Sequence, residues 1–445
     1  MKNRDEDMVK TYHRKKLLVS ITCVILALLL ISIRLLYVCV FQSSYYLEKA
    51  QKLHERERDI KALRGEILDR NGVVLASNKT VCTVSVIHSQ ITQPQEVIQM
   101  LVKELDITEE AARKRVEKVS SIERVKTNVD KETGDRIREY NYSGVKVDED
   151  YKRYYPYSKL CSKVLGFTGS DNQGILGLEA KYDAYLSGTP GQILTLTDAW
   201  GVEVKNGNEE RDEPEKGSNL YTSIDINIQS YAQQLAQKTL EQKQAKSVSI
   251  IVMNPENGEI LAMTNEPEYD LNNPYELNSD LLISSTGTSK MDLLNNMWRN
   301  FCINDTYEPG SIFKMVTATA ALETGSVTLN DHFTCGGSAI VADRKIRCHK
   351  TTGHGTQTFT QTVMNSCNPA FIEWGRRVGT ERFFEYMGKL GLLEKTGIDI
   401  AGEASTIIHK QENVGEVELA TMSFGQSFQI TPLQMLRAAS AIING

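Results

Sequence analysis

Ser311 and Lys314 stand three positions apart in Tyr307-Glu308-Pro309-Gly310-Ser311-Ile312-Phe313-Lys314, where a helix should begin. Pro309-Gly310 breaks whatever precedes. From Ser311 onward (SIFKMVTATAALETG), Phe313, Val316 and Ala320 share one stripe and Gly325 can stop the helix. Residues i and i+3 are neighbours on a helix, so Lys314 is expected beside the Ser311 hydroxyl. A serine becomes a useful nucleophile when a neighbouring base takes its proton. A lysine can be that base only when neutral, which requires burial or a nearby positive charge. The N–H groups and positive dipole end of a helix start also suit an anionic intermediate. The chemistry this pair could perform is nucleophilic catalysis by the serine, with the lysine as its base.

The same spacing recurs at Ser143-Gly144-Val145-Lys146, within RIREYNYSGVKVDEDYKRYYP. That stretch is charged, β-leaning and without a helical stripe, so it is read as structural.

The elements that must position Ser311 and Lys314 follow from the rest of the chain. With 445 residues, 40% hydrophobic and 24% charged, the chain is long enough for two or three domains. A net charge of -6 argues against nucleic acid as the main partner. No P-loop or dinucleotide fingerprint occurs. Residues 17–41 form an apolar run broken only by Arg34, long enough to span a bilayer as a retained helix. Arg34 sits near its far end and can snorkel to the interface. Lys2, Arg4, Lys10, Arg14, Lys15 and Lys16 precede the run, so residues 1–16 are expected in the cytoplasm and everything after residue 42 outside.

Residues 42–63 read as a charged helix leaving the membrane, and 95–127 as a packed helix pair. In RGEILDRNGVVLAS, two short strands flank Asp69-Arg70-Asn71-Gly72, a hairpin signal. The polar segment 207–219 is a candidate domain boundary. A helix is expected over 226–242, then strands over 248–253 and 259–263 around a hairpin turn. Six cysteines fall outside the membrane segment. Cys335 and Cys348 flank two short strands and a turn, and could form a disulfide or remain buried thiols. A metal site of Cys335, Cys348, His349 and His354 fits no standard zinc spacing and is not expected.

YEPGSIFK resembles the active-site serine motif of class B penicillin-binding proteins, the membrane-anchored D,D-transpeptidases of peptidoglycan. Other segments agree in order: RGEILDRNGVVLA, GILGLEAKYDAYLSGTPG, YTSIDINIQ, VSIIVMNPENGEILAMTNEPEYD, SCNPAF and SFGQSFQITPLQ. The resemblance covers nearly everything from residue 17 and is strongest to the sporulation-specific and penicillin-binding protein 2 branch. It implies an α/β (α+β) chain. A cytoplasmic tail (1–16) and membrane helix (17–41) would precede a pedestal, or dimerisation-type, domain (42–215). A transpeptidase domain (220–445) would follow, with an antiparallel sheet between helices.

The resemblance also implies site residues. Ser366-Cys367-Asn368 matches the family's S-x-N motif and should be a loop between two helices. Ser366 Oγ would relay a proton between Lys314 and the leaving group, and the Asn368 amide would hold substrate and lysine. Asn368 before Pro369 would also serve as a helix N-cap. Ser170-Asp171-Asn172 repeats the letters and is read as a turn. Lys395-Thr396-Gly397 matches the family's third motif, K-[ST]-G, but sits where the family has a structural turn. The chain is therefore expected to stop inside the catalytic domain, before the strand carrying that motif. The implied partners are peptidoglycan stem peptides ending in D-Ala-D-Ala, β-lactams, the membrane and glycan polymerases or other cell-wall assembly proteins. No metal or organic cofactor is implied. A hydrolase with the same residues and a non-catalytic, penicillin-sensing scaffold stay open as alternatives.

Overall fold

A computed structural model describes residues 2–46, 49, 55–120, 122–196, 210–278 and 289–445. The chain divides into two units. The first comprises Met1–Lys61, Val81–Asp150 and Pro190–Pro214; the second comprises Ala62–Thr80, Tyr151–Thr189 and Glu215–Gly445.

In the first unit the N-terminal helix Lys2–Phe41 contains Leu18–Phe41, long and apolar enough to cross a membrane. The charged helix expected over 42–63 is not what residues 55–60 form. Glu55–Ile60 is a strand, antiparallel to Gly191–Leu196, which also pairs with Glu210–Asp212. Its alternating Glu and Arg are good helix formers, but intrinsic propensity is a weak determinant, and pairing with a strand far away in sequence overrides it. Residues 47, 48 and 50–54 of that expected helix lie outside the described residues, as do 207–209 of the expected boundary.

The helix pair expected over 95–127 is Pro94–Leu105 and Glu109–Val116, followed by the strand Glu123–Asp130. Val125, Thr127 and Val129 recur every second residue there, a strand signal beneath the charges. Val97, Ile98, Leu101 and Leu105 bury one helical face against Val84, Ala112 and Val129.

The second unit holds the residues singled out for chemistry. Its hairpin turns at Asp69-Arg70-Asn71-Gly72: the Asp69 N–H donates to Val73 O (2.9 Å), and Gly72 takes φ +85°. Ile67–Leu68 runs antiparallel to the strand from Val74 and parallel to Leu220–Tyr221. Behind it lies a buried ionic knot. Arg64 reaches Glu179 at 2.7 Å and Asp183 at 2.6 Å, and Arg153 reaches Glu179 at 2.6 Å. Asn172 forms the expected turn, with φ +65° and its N–H on Gly169 O.

Helix Ile226–Lys243, capped by Asp225, packs on the antiparallel pair Val248–Met253 and Ile260–Glu266. The buried Gln229 amide locks this contact by donating to Met263 O (3.1 Å) and accepting from Met263 N–H (2.8 Å). A helical layer follows. Lys314–Glu323 lies against Asn368–Val378, Thr380–Lys389 and Pro432–Asn444 around a core that includes Phe313, Phe371, Trp374 and Phe428. Two small strand pairs, His332–Cys335 with Gly355–Thr358 and Ser338–Val341 with Arg344–Arg347, flank that layer.

Candidate active site

The chain enters the site through a tight turn. Gly310–Phe313 is a single 3₁₀ turn that runs directly into the helix Lys314–Glu323. The α-helix expected from Ser311 thus begins at Lys314, and Ser311 lies in the tighter 3₁₀ turn before it. Gly310 has φ +60°, which a glycine adopts without strain. Phe313 drives into the core between Phe383 and Phe428, with ring centroids 6.0 and 4.7 Å away. Burying Phe313 orients the turn so that Ser311 faces outward and remains exposed.

Lys314 is buried, 4% exposed. Its Nζ lies within hydrogen-bonding distance of Ser311 Oγ (3.3 Å), Ser366 Oγ (2.9 Å), Ser366 O (2.8 Å) and Asn368 Oδ1 (2.6 Å). The four residues expected to carry the chemistry therefore converge on one amine. Burial pulls the Lys314 pKa down from its ordinary value to about 8, with the Cys348 and Cys367 thiols acting weakly against it. A substantial neutral fraction near physiological pH is what a general base requires.

The loop that supplies Ser366 and Asn368 is a helix C-terminus meeting a helix N-terminus. Helix Phe359–Met364 ends with Ser366 N–H on Val363 O (3.0 Å) and Cys367 N–H on Thr362 O (3.0 Å). That pattern is a Schellman closure, whose left-handed position is usually glycine. Here Ser366 occupies it at φ +46°. The conformation turns both its carbonyl and its hydroxyl toward Lys314. Asn368 begins the next helix, Asn368–Val378, but its side chain does not cap it. The N-cap role anticipated from the sequence is absent because Oδ1 is used by Lys314, and Cys367 takes the cap position.

The remaining sequence candidates lie elsewhere. Ser143 donates to Gln90 O (2.7 Å), and Lys146 belongs to the strand Val145–Tyr154. Thr396 and Gly397 are tied to the Glu403 carboxylate through Thr396 N–H (2.7 Å), Thr396 Oγ1 (2.6 Å) and Gly397 N–H (3.3 Å). That is the structural turn anticipated for Lys395-Thr396-Gly397.

Two features were not foreseen. The first is how closely 423–430 braces the nucleophile turn. Gly310 N–H donates to Gly425 O (2.8 Å), Thr317 Oγ1 to Ser423 O (2.8 Å) and Ser427 N–H to Glu308 Oε1 (3.0 Å). A side chain at Gly425, φ +84°, would place Cβ 2.1 Å from Gly310 O. The glycine in SFGQ was the available signal. The second is a cluster of Cys335, Cys348, His354 and Cys367, whose ligand atoms all lie within 4.8 Å of one another. It differs from the set weighed in the sequence: Cys367 belongs and His349 does not. Cys335 and Cys348 are free thiols here. Cys367 was overlooked because it was read only as the middle letter of S-x-N.

Residues 248–445 match the penicillin binding protein transpeptidase domain, and residues 59–222 the penicillin-binding protein dimerisation domain. The chain is 38% identical over 440 residues to stage V sporulation protein D of Bacillus subtilis, covering 97% of this chain and 65% of that protein. It is 27% identical over 485 residues to the peptidoglycan D,D-transpeptidase MrdA of Acinetobacter baumannii, covering 99% and 69%. Among solved structures, a complex between penicillin-binding protein PBP2 and MreC from Helicobacter pylori matches with a TM-score of 0.70. Identity there is 26%, with 87% of this chain and 77% of that chain covered.

Proposed function

Because this chain belongs to the class B penicillin-binding protein transpeptidases, we propose that the protein carrying it cross-links peptidoglycan stem peptides through an acyl-enzyme on Ser311. The observation that carries this reading is the buried Lys314 amine, within 3.3 Å of Ser311 Oγ and held by Ser366 and Asn368.

Neutral Lys314 takes the Ser311 proton as Oγ attacks the penultimate carbonyl of a stem peptide ending in D-Ala-D-Ala. The tetrahedral intermediate collapses, the C–N bond breaks and D-Ala leaves. Its amine takes the proton from Lys314 by way of the Ser366 hydroxyl. An amine of a neighbouring stem peptide then attacks the ester carbonyl. Its proton returns to Ser311 through the same groups, and the new amide is the cross-link. A β-lactam follows the first half of this path, opening its ring amide onto Ser311. Asn368 steadies Lys314 through Oδ1 while its Nδ2, 3.5 Å from Arg347 O, is available to substrate main chain.

The pedestal would comprise 42–215 and the transpeptidase domain 220 onward. The helix Leu18–Phe41 would anchor the protein with its basic N-terminal end in the cytoplasm and Ser311 outside. Association with cell-wall assembly proteins is part of the same reading: the Helicobacter pylori relative was solved with MreC. Incubating the protein with a donor stem peptide and an acceptor amine tests the reaction. Cross-linked dimer that disappears in Ser311→Ala is expected. Release of D-Ala without dimer would contradict transpeptidation.

A further inference from the structure

A basic hairpin stands beside the active site. Residues 338–354 carry Arg344, Lys345, Arg347 and Lys350 against one acidic residue, Asp343, in a chain whose net charge is -6. All four cations are exposed, and among the described residues none of them has an ion-pair partner. The helix Asn368–Val378 packs against the same hairpin, and its own exposed arginines are paired: Arg376 with Glu373 at 2.7 Å and Arg377 with Asp331 at 2.9 Å.

The pairing register fixes which way the hairpin presents its charges. Ser338 stands opposite Arg347, Ala339 opposite Ile346, Ile340 opposite Lys345 and Val341 opposite Arg344. Successive residues of a strand alternate between faces. Ala339, Val341 and Ile346 pack against the helical core, so Ile340, Lys345 and Arg347 share the opposite face. Ile340 is 79% exposed there. One side of the hairpin is thus spent on the core, and the other offers solvent two cations that no carboxylate of the described residues neutralises.

The hairpin is also joined to the site. Asn368 Nδ2 donates to Arg347 O at 3.5 Å, while Asn368 Oδ1 stands 2.6 Å from Lys314 Nζ. The next residue holds the end of the strand in place, with Cys348 N–H donating to Gly337 O (2.9 Å). A peptide whose main chain meets Asn368 Nδ2 while its carbonyl lies at Ser311 therefore runs past the backbone of Arg347.

Building on the transpeptidase reading, we propose that Lys345 and Arg347 bind a carboxylate carried inside the stem peptide, upstream of its D-Ala-D-Ala end. The Arg347 guanidinium suits a carboxylate as a bidentate pair, and the Lys345 ammonium adds a point charge two residues away on the same face. Both cations act on a part of the substrate that does not react, so they set which peptide is held and how its carbonyl is presented to Ser311.

Binding to Ser311→Ala protein separates this inference from the reaction, because no acyl-enzyme forms on it. Two stem pentapeptides ending in D-Ala-D-Ala, each with a neutral fluorophore at the N-terminus, are titrated with the full chain in detergent and followed by fluorescence anisotropy. One has free internal carboxylates; in the other these are carboxamides, and both keep the C-terminal carboxylate. The acid peptide is expected to bind about five- to tenfold tighter. That difference should shrink as salt is raised and vanish when Lys345→Ala and Arg347→Ala are added. Exchanging the cations, Lys345→Arg with Arg347→Lys, keeps the charge and should keep most of the preference. Equal binding of the two peptides, binding of neither, or a preference that survives loss of both cations would each overturn the proposal. The cross-linking assay on unmutated protein judges the reaction separately.

Discussion

At the scale of single residues, the account turns on one amine. Lys314 has four oxygen acceptors within 3.3 Å and no carboxylate among them. A carboxylate partner would hold the proton on, whereas neutral oxygens let burial bring the pKa to about 8. Sign and window follow. The charged form prevails below that value and cannot accept a proton, so acylation of Ser311 by a β-lactam should rise with pH and level off above about 8. A stopped-flow pH profile checks this; a flat profile from pH 6 to 9 would contradict it. Lys314→Met should slow acylation by about 10²–10⁴-fold while leaving the fold intact by circular dichroism. Ser366→Ala removes one hydroxyl but leaves the Ser366 carbonyl on Lys314, so a smaller loss is expected, seen in the same assay.

The pairing of Ser311 with Lys314 was legible because helical spacing alone makes i and i+3 neighbours. The contribution of Ser366 and Asn368 came only from family resemblance, since nothing local in SCN marks it as part of a site. Cys367 shows the limit. Its neighbours Cys335, Cys348 and His354 lie on or beside strands that pair across loops, and no spacing rule links them.

At the scale of elements, the site depends on a brace and a closure. The brace is Gly425 against Gly310. Gly425→Ala forces a Cβ to 2.1 Å from a backbone oxygen and also strains φ +84°. A loss of about 1–3 kcal/mol is expected in urea unfolding, with slower Ser311 acylation even where the protein stays folded. Wild-type acylation and stability in that variant would show that the brace is dispensable. The closure is the left-handed Ser366, which spends the usual glycine position on a hydroxyl; such local disagreement with propensity is expected at functional sites.

Helices and hairpins with strong local signals were foreseen: the turn at 69–72, helix Ile226–Lys243 and the strand pair at 248–266. Glu55–Ile60 was not. Its residues are all charged but one, and its strand identity resides in its partner Gly191–Leu196.

At the scale of the whole molecule, the second unit is assembled from segments widely separated in sequence, and Arg64, Arg153 and Glu179 fasten a loop, a strand and a short helix of it from within. Breaking one partner leaves a buried charge uncompensated. Glu179→Ala should therefore cost about 3–5 kcal/mol in unfolding, far more than removal of a surface pair such as Arg113 with Glu117. Comparable losses at the two sites would contradict a fastening role. The ionic knot was invisible in the sequence, because each charge alone reads as solvated surface.

The most direct test of the central claim is the location of the acyl group. The protein is treated with a penicillin, digested with trypsin and analysed by tandem mass spectrometry. The penicilloyl mass is expected on Ser311, in the peptide 300–314, and on no peptide of Ser311→Ala. An adduct on another residue, or labelling that survives Ser311→Ala, would contradict the account.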